Sequence, residues 1–222
     1  MQFYNSRNKN HTANFQQALW QGLAPDGGLY CPIEIPYWSI DEMQELLLGS
    51  RHEVATQVLH AYMKDVISRH DLSNIMTDCL DFDIPLVSVD ERVKILELFH
   101  GPTEAFKDVG ARFMARMMSH FLGNQKLTIL VATSGDTGSA VADGFWKVAG
   151  IDVIVLFPKG GVSPFQESQM TTLGDNITAV EVKGTFDDCQ DLVKEAFQDA
   201  SINEIKNLSS ANSINIGRLL PQ

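Results

Sequence analysis

Two continuous runs of β-branched and other apolar residues constrain the fold of this chain more than any other feature: Leu127 to Thr133 (LTILVAT) and Asp152 to Phe157 (DVIVLF). A strand that is apolar on both sides has both faces covered, as strands inside a parallel sheet do. Between the runs, Thr137 to Val148 reads as a helix stopped at Gly150. After them come a helix from Ser163 to Leu173, a strand from Ile177 to Val182 and a helix from Phe186 to Ala200. Upstream, Lys94 to Phe99 reads as a short apolar strand that leads into another helix. Strands alternating with helices of this length are parallel β-α-β units.

The first part of the chain has a different rhythm. Phe15 to Leu23 is a short amphipathic run closed by the turn signal PDGG, Pro25 to Gly28. Ser39 with Glu42 forms a capping box that opens a helix to about Leu48. Further helices are expected from about Glu53 to Ser68 and from Ser73 to Cys79, before Asp81 to Pro85 breaks the pattern. The expected architecture is a mostly helical N-terminal domain, residues 1–85, followed by an α/β domain, residues 86–222, built on a parallel β-α-β sheet.

Composition narrows the function. With 222 residues, 44% hydrophobic and 20% charged, the chain has ample material for a core. Its net charge of −11 argues against a nucleic-acid partner, which needs a basic face. No apolar run reaches the length of a membrane span and the N-terminus carries no apolar leader segment, so the expected location is cytoplasmic with no membrane partner. Cys31, Cys79 and Cys189 form no CxxC pair, and His60, His70 and His120 lack HExxH spacing, so no metal is expected.

The chemistry gathers in two stretches. In FHGPTEAFKDVGARFMA, Phe99 to Ala115, apolar or small residues at Phe106, Val109, Gly110, Phe113, Met114, Met117, Met118 and Phe121 alternate three and four apart, which makes one helix face ready for burial. Lys107 stands beside that stripe in the first turn, where the helix dipole is least hospitable to a cation. A solvated surface charge is the common fate of a helix lysine, but its usual place is nearer the C-terminus. The second stretch is SGDTG, Ser134 to Gly138, placed between the LTILVAT strand and the next helix. Its glycines allow close backbone approach, and Ser134, Asp136 and Thr137 add short polar groups. The plainer interpretation is a helix start with Ser134 or Asp136 as N-cap. It is neither a P-loop nor a dinucleotide fingerprint, because GK[ST] and GxGxxG are both missing. Lys159-Gly160-Gly161, after the DVIVLF strand, reads as an ordinary turn.

Chain order places Lys107 and SGDTG at the ends of successive β-α connections, on one sheet edge, where ligands of open α/β sheets bind. A lysine amine beside an anion-holding loop is what a Schiff-base enzyme using pyridoxal phosphate requires. HGPTEAFKD and ATSGDTGSAV, with PDGGLY before them and NSINIGR after, resemble the threonine synthases, fold-type II pyridoxal-phosphate enzymes. The resemblance runs in order along most of the chain. It implies that Lys107 carries pyridoxal 5'-phosphate as a Schiff base and moves protons at the substrate α and β carbons. It implies that Ser134, Gly135, Asp136, Thr137 and Gly138 grip the substrate α-carboxylate, with Asp136 where relatives place an asparagine near the cofactor's 3-oxygen. The implied reaction converts O-phospho-L-homoserine and water to L-threonine and phosphate.

The chain departs from that family in length. Threonine synthases run to roughly twice its size, and their cofactor-phosphate cup lies further along. The expectation is an N-terminal portion that is inactive alone and self-associates through the face its second half would cover. Two other readings remain: a serine/threonine dehydratase or cysteine synthase-like lyase, and a non-catalytic binding module keeping the fold.

Overall fold

The computed structural model describes residues 1–205 and 207–222. The N-terminal part begins with β1 (Gln2–Asn5), β2 (Thr12–Asn14), α1 (Phe15–Gln21) and β3 (Tyr30–Pro32). Its helices follow as α2 (Ile40–Leu46), α3 (Arg51–Met63) and α4 (Arg69–Cys79). The capping box of Ser39 and Glu42 is present, and Ser50 with Glu53 forms another, so α3 starts before Glu53 and ends well before Ser68. The structure adds a three-stranded antiparallel sheet, ordered β2-β1-β3, to the helices expected there. Each of its strands has only three or four residues, too few for a period-two pattern to stand out. Its apolar side packs into the core through Phe3, whose ring lies 6.1 Å from that of Phe15.

Next come β4 (Leu86–Ser88), β5 (Lys94–Leu96), α5 (Lys107–Leu122), β6 (Leu127–Ala132), α6 (Asp136–Phe145) and β7 (Ile151–Pro158). The chain continues through α7 (Pro164–Thr171), β8 (Ile177–Val182), α8 (Phe186–Gln198), α9 (Ala200–Ile205), β9 (Leu208–Ser209) and α10 (Ile216–Leu219). Strands β8, β7, β6 and β9 form a four-stranded parallel sheet in that order. Every residue of β6 except Ala132 is buried, as its continuous apolar run requires. One expectation fails here. Lys94 to Phe99 does not lead the parallel sheet: β5 pairs antiparallel with β4 in a separate hairpin, Leu86 opposite Leu96. A short apolar run looks the same in either kind of sheet, and only the partner strand tells them apart.

Helix α5 buries Val109, Phe113, Met114, Met117 and Met118 as its three-and-four spacing predicts, each side chain of that size contributing about 1.5–3 kcal/mol. Phe106, expected on the same stripe, precedes the helix and is half exposed, because as N-cap its side chain leaves the buried face. Arg112 Nη2 donates to Asp78 O at 2.8 Å, and Arg116 Nε to Asp78 Oδ2 at 2.6 Å, which sets two cations at the C-terminal end of α4. Against α6 the approach is close. A Cβ on Gly144 would come within 3.0 Å of Ala111 C, so the two helices nearly touch backbones.

That seam should make stability depend on pH. Burial pushes the Asp143 carboxyl above its ordinary value of 3.8, and the charge of Asp108 adds to the effect. A carboxyl raised in the folded state binds its proton more tightly there than in the unfolded chain. Its cost is therefore absent well below 3.8 and grows as pH rises through the folded value. Asp143→Asn should raise the denaturation midpoint more at about pH 8 than at about pH 4, read by urea unfolding monitored by circular dichroism. An equal gain at both pH values would contradict this account.

Candidate active site

Thr133 ends the run of β6 and organises the loop after it. Its buried hydroxyl accepts from Gly135 N at 3.0 Å and from Gly138 N at 2.8 Å, and donates to Gly135 O at 3.0 Å. The helix-start interpretation named the wrong residues: neither Ser134 nor Asp136 caps α6, whose N-cap is Gly135 without a side-chain bond. Thr133 does the equivalent work from inside. Its only trace in the sequence is a hydroxyl at the carboxyl end of an apolar strand, next to a glycine-bearing turn.

The loop's amides divide accordingly. Those of Gly135 and Gly138 turn inward to Thr133. Those of Ser134, Asp136 and Thr137 have no acceptor among the described residues, as expected for Asp136 and Thr137 in the first turn of a helix. Gly138 has a steric task as well: a Cβ there would lie 2.3 Å from Thr133 Cγ2 and 2.8 Å from Met170 Sδ.

Lys107 reaches the same place from α5. Its neighbour Asp108 is fully buried and accepts from Thr103 N at 2.9 Å and from the Thr103 hydroxyl, which folds the HGPT loop back onto the helix start. Burial pushes the Asp108 carboxyl up, and the Thr103 bonds oppose that shift. With the loop held, Lys107 takes the first position of α5 and Asp136 the first position of α6. Lys107 Nζ donates to Asp136 Oδ2 at 3.0 Å and lies 4.2 Å from the centroid of the Phe106 ring. The lysine side chain is 20% exposed and the carboxylate 49%, so this ion pair contributes about 1 kcal/mol or less to stability. The juxtaposition expected from chain order is therefore present, although β5 is not in the sheet.

These groups line a cleft of ≈ 360 Å³ at the carboxyl ends of the parallel strands. Lys107, Ser134, Asp136 and Thr137 line it together with Phe186 and Gln190 of α8 and Asn212 and Ser213 after β9. Gly135 and Gly138 of the five-residue loop are buried. The sequence reading missed the α8 and post-β9 residues, because nothing in their spacing announces where α8 packs against the sheet or that β9 joins it beside β6. Lys159 and Gly160 lie elsewhere: Lys159 Nζ pairs with Glu181 at 2.9 Å across β7 and β8, and the turn is ordinary. The donor set suits an aldehyde-bearing aromatic cofactor. A primary amine stands at the wall of a cleft of ligand size, beside unpaired amides at a helix N-terminus.

Comparison with known proteins agrees along the chain. The family model described as "Threonine synthase N terminus" matches residues 2–80, and that described as "Pyridoxal-phosphate dependent enzyme" matches residues 87–217. The chain is 44% identical over its whole length to threonine synthase from Escherichia coli (strain K12), of which it covers 52%. The crystal structure of that organism's threonine synthase superposes with a TM-score of 0.91 at 44% identity, over 100% of this chain and 52% of the other. The crystal structure of PLP-bound threonine synthase from Brucella melitensis gives 0.94 at 40% identity, over 100% of this chain and 49% of the other. The chain spans about half the length of the curated relatives it matches. The α/β fold is that of the fold-type II pyridoxal-phosphate enzymes.

Proposed function

The chain belongs to the pyridoxal-phosphate dependent enzyme family, and we propose that it is the N-terminal half of a threonine synthase, supplying the lysine-bearing wall of the active site. The observation that carries this reading is the meeting of Lys107 and Asp136, each at the first position of its helix, 3.0 Å apart in a cleft at the sheet's carboxyl edge. The proposed substrate is O-phospho-L-homoserine and the products are L-threonine and phosphate. Residues 1–85 would form the mostly helical domain and 86–222 the α/β domain, and the protein would act in the cytoplasm.

Lys107 would hold pyridoxal phosphate through its amine, and when bound the cofactor supplies an electron sink for proton removal next to the substrate nitrogen. The freed Lys107 amine would take the proton from the substrate α carbon and then one from the β carbon. Phosphate would leave from the γ carbon with its bonding pair, and a proton would be given to the γ carbon. Water would then add its hydroxyl at the β carbon as a proton returns to the α carbon. The amides of Ser134, Asp136 and Thr137 would orient the substrate α-carboxylate, aided by the Ser134 and Thr137 hydroxyls. Gly135 and Gly138 would serve that grip by letting Thr133 shape the loop.

The test uses a chain completed to the length of its relatives. Given O-phospho-L-homoserine it should release phosphate and form L-threonine. Deamination of L-serine without phosphate release would replace this reading with the dehydratase one. A colourless product unable to take up pyridoxal phosphate would favour a binding module.

The isolated 222-residue chain is expected to form no threonine and to associate with itself. The surface proposed to drive that is the β4–β5 hairpin. Leu86, Val89 and Leu96 are 58%, 61% and 55% exposed, and a two-stranded hairpin with an uncovered apolar surface is marginal in water. Sedimentation showing a monomer at all concentrations would remove that part of the proposal.

A further inference from the structure

Gln166, in the first turn of α7, takes part in none of the steps above, yet its side chain is held at both ends. Ser163 accepts from Gln166 N at 3.2 Å and donates its hydroxyl to Gln166 Oε1 at 3.1 Å. The other end of the amide, Nε2, donates to Asp136 Oδ1. Asp136 thus has one oxygen on Gln166 and the other on Lys107. From these contacts we infer that Gln166 is a positioning residue for Lys107, acting through Asp136, a role that rests on the reading of Lys107 given above.

Without Gln166, Asp136 would be loosely held. Its side chain is 49% exposed, so water competes for both oxygens, and a surface ion pair of this kind is readily given up. A neutral amide fixed to Ser163 removes that freedom without adding charge. It binds one oxygen and leaves the other facing the amine. Gly135 makes the arrangement sterically feasible. At φ +146° it lies beneath the amide, and a Cβ there would approach Gln166 Oε1 to 2.6 Å. The strut itself is anchored to both loops of the site. Ser139 Oγ donates to Gln166 O at 3.3 Å, and Gln169 Nε2 donates to Thr103 O at 3.1 Å. Helix α7 therefore ties the start of α5 to the start of α6. When Lys107 leaves Asp136 to meet a ligand, Gln166 keeps the carboxylate in place for its return.

The role can be read without turnover. The 222-residue chain is trace-labelled with acetic anhydride, and acetylation of Lys107 is measured by peptide mapping relative to exposed Lys126. An amine held in an ion pair reacts more slowly than a released one. Gln166→Leu keeps the volume and removes the donor, and should raise the relative rate at Lys107 by about threefold, the worth of a surface ion pair. Asp136→Ala should give a similar rise, and adding Gln166→Leu to it should change nothing further. A Gln166→Leu effect of the same size in the Asp136→Ala background would mean that Gln166 merely supports the helix, and no effect in either background would also overturn the inference. Failure of the cofactor reading is distinguishable. Borohydride trapping would then miss Lys107 while the acetylation cycle still closed.

Discussion

Replacing Lys107 with alanine, in a chain completed to the length of its relatives, should reduce turnover by on the order of 10³-fold or more, because one side chain is asked both to hold the cofactor and to move the protons. The loss should fall on kcat and persist at saturating substrate, since the loop amides that would bind the α-carboxylate are untouched. Borohydride reduction of the unsubstituted protein should fix the cofactor on Lys107, and peptide mapping should find the label there. A label on Lys126, Lys147 or Lys159 would end the assignment. Lys147→Ala is the control. That lysine is 61% exposed and its amine engages Asp175, at 3.8 Å, and the ring of Trp146, so little should change. The structure sharpens the contrast, because Lys107 is the more enclosed of the two and faces a cleft.

The second large effect is expected at Gly138. Alanine there places a methyl group 2.3 Å from Thr133 Cγ2 and 2.7 Å from Thr133 Cβ. Thr133 cannot swing away, because it is buried and its hydroxyl holds the amides of Gly135 and Gly138. The clash should cost about 2–3 kcal/mol, as overpacking in a rigid core does. For a chain of this size that lowers the unfolding midpoint by roughly 5–10 °C. Gly160→Ala provides the comparison. Gly160 has φ +67° but nothing within 4 Å of an added methyl group, so only backbone strain of about 1 kcal/mol applies. Equal melting points for the two variants would show that the Thr133 loop yields more easily than its hydrogen bonds imply.

How much of the site could be read beforehand differs residue by residue. Lys107 was legible because a cation in the first turn of an amphipathic helix contradicts the dipole, and the contradiction asks for a reason. SGDTG was legible because two glycines and three short polar residues follow a strand that ends in the core. Thr133 and Gln166 were not. The first reads as the last residue of a strand and the second as an ordinary polar residue after an N-cap. Their importance lies in hydrogen bonds made across the turn and across the helix pair.

The same division holds for the fold. Local pattern was enough for the long buried strands β6 and β7, read from continuous apolar runs, and for the buried face of α5, read from its three-and-four spacing, because each spans enough residues to exceed chance. It could not reveal β9, two residues long, nor the antiparallel pairing of β5 with β4, since a strand's partner is not written in the strand itself. By itself the sequence determined which segments must be covered by others and which two stretches carry the candidate site residues. Tertiary structure decided what covers them and brought Lys107 and Asp136, 29 residues apart, to 3.0 Å. The physical reason is range. Burial preference and helix dipoles act within a few residues, whereas the distance between two helix starts depends on how closely α5 and α6 pack at Ala111 and Gly144, a contact no local pattern encodes.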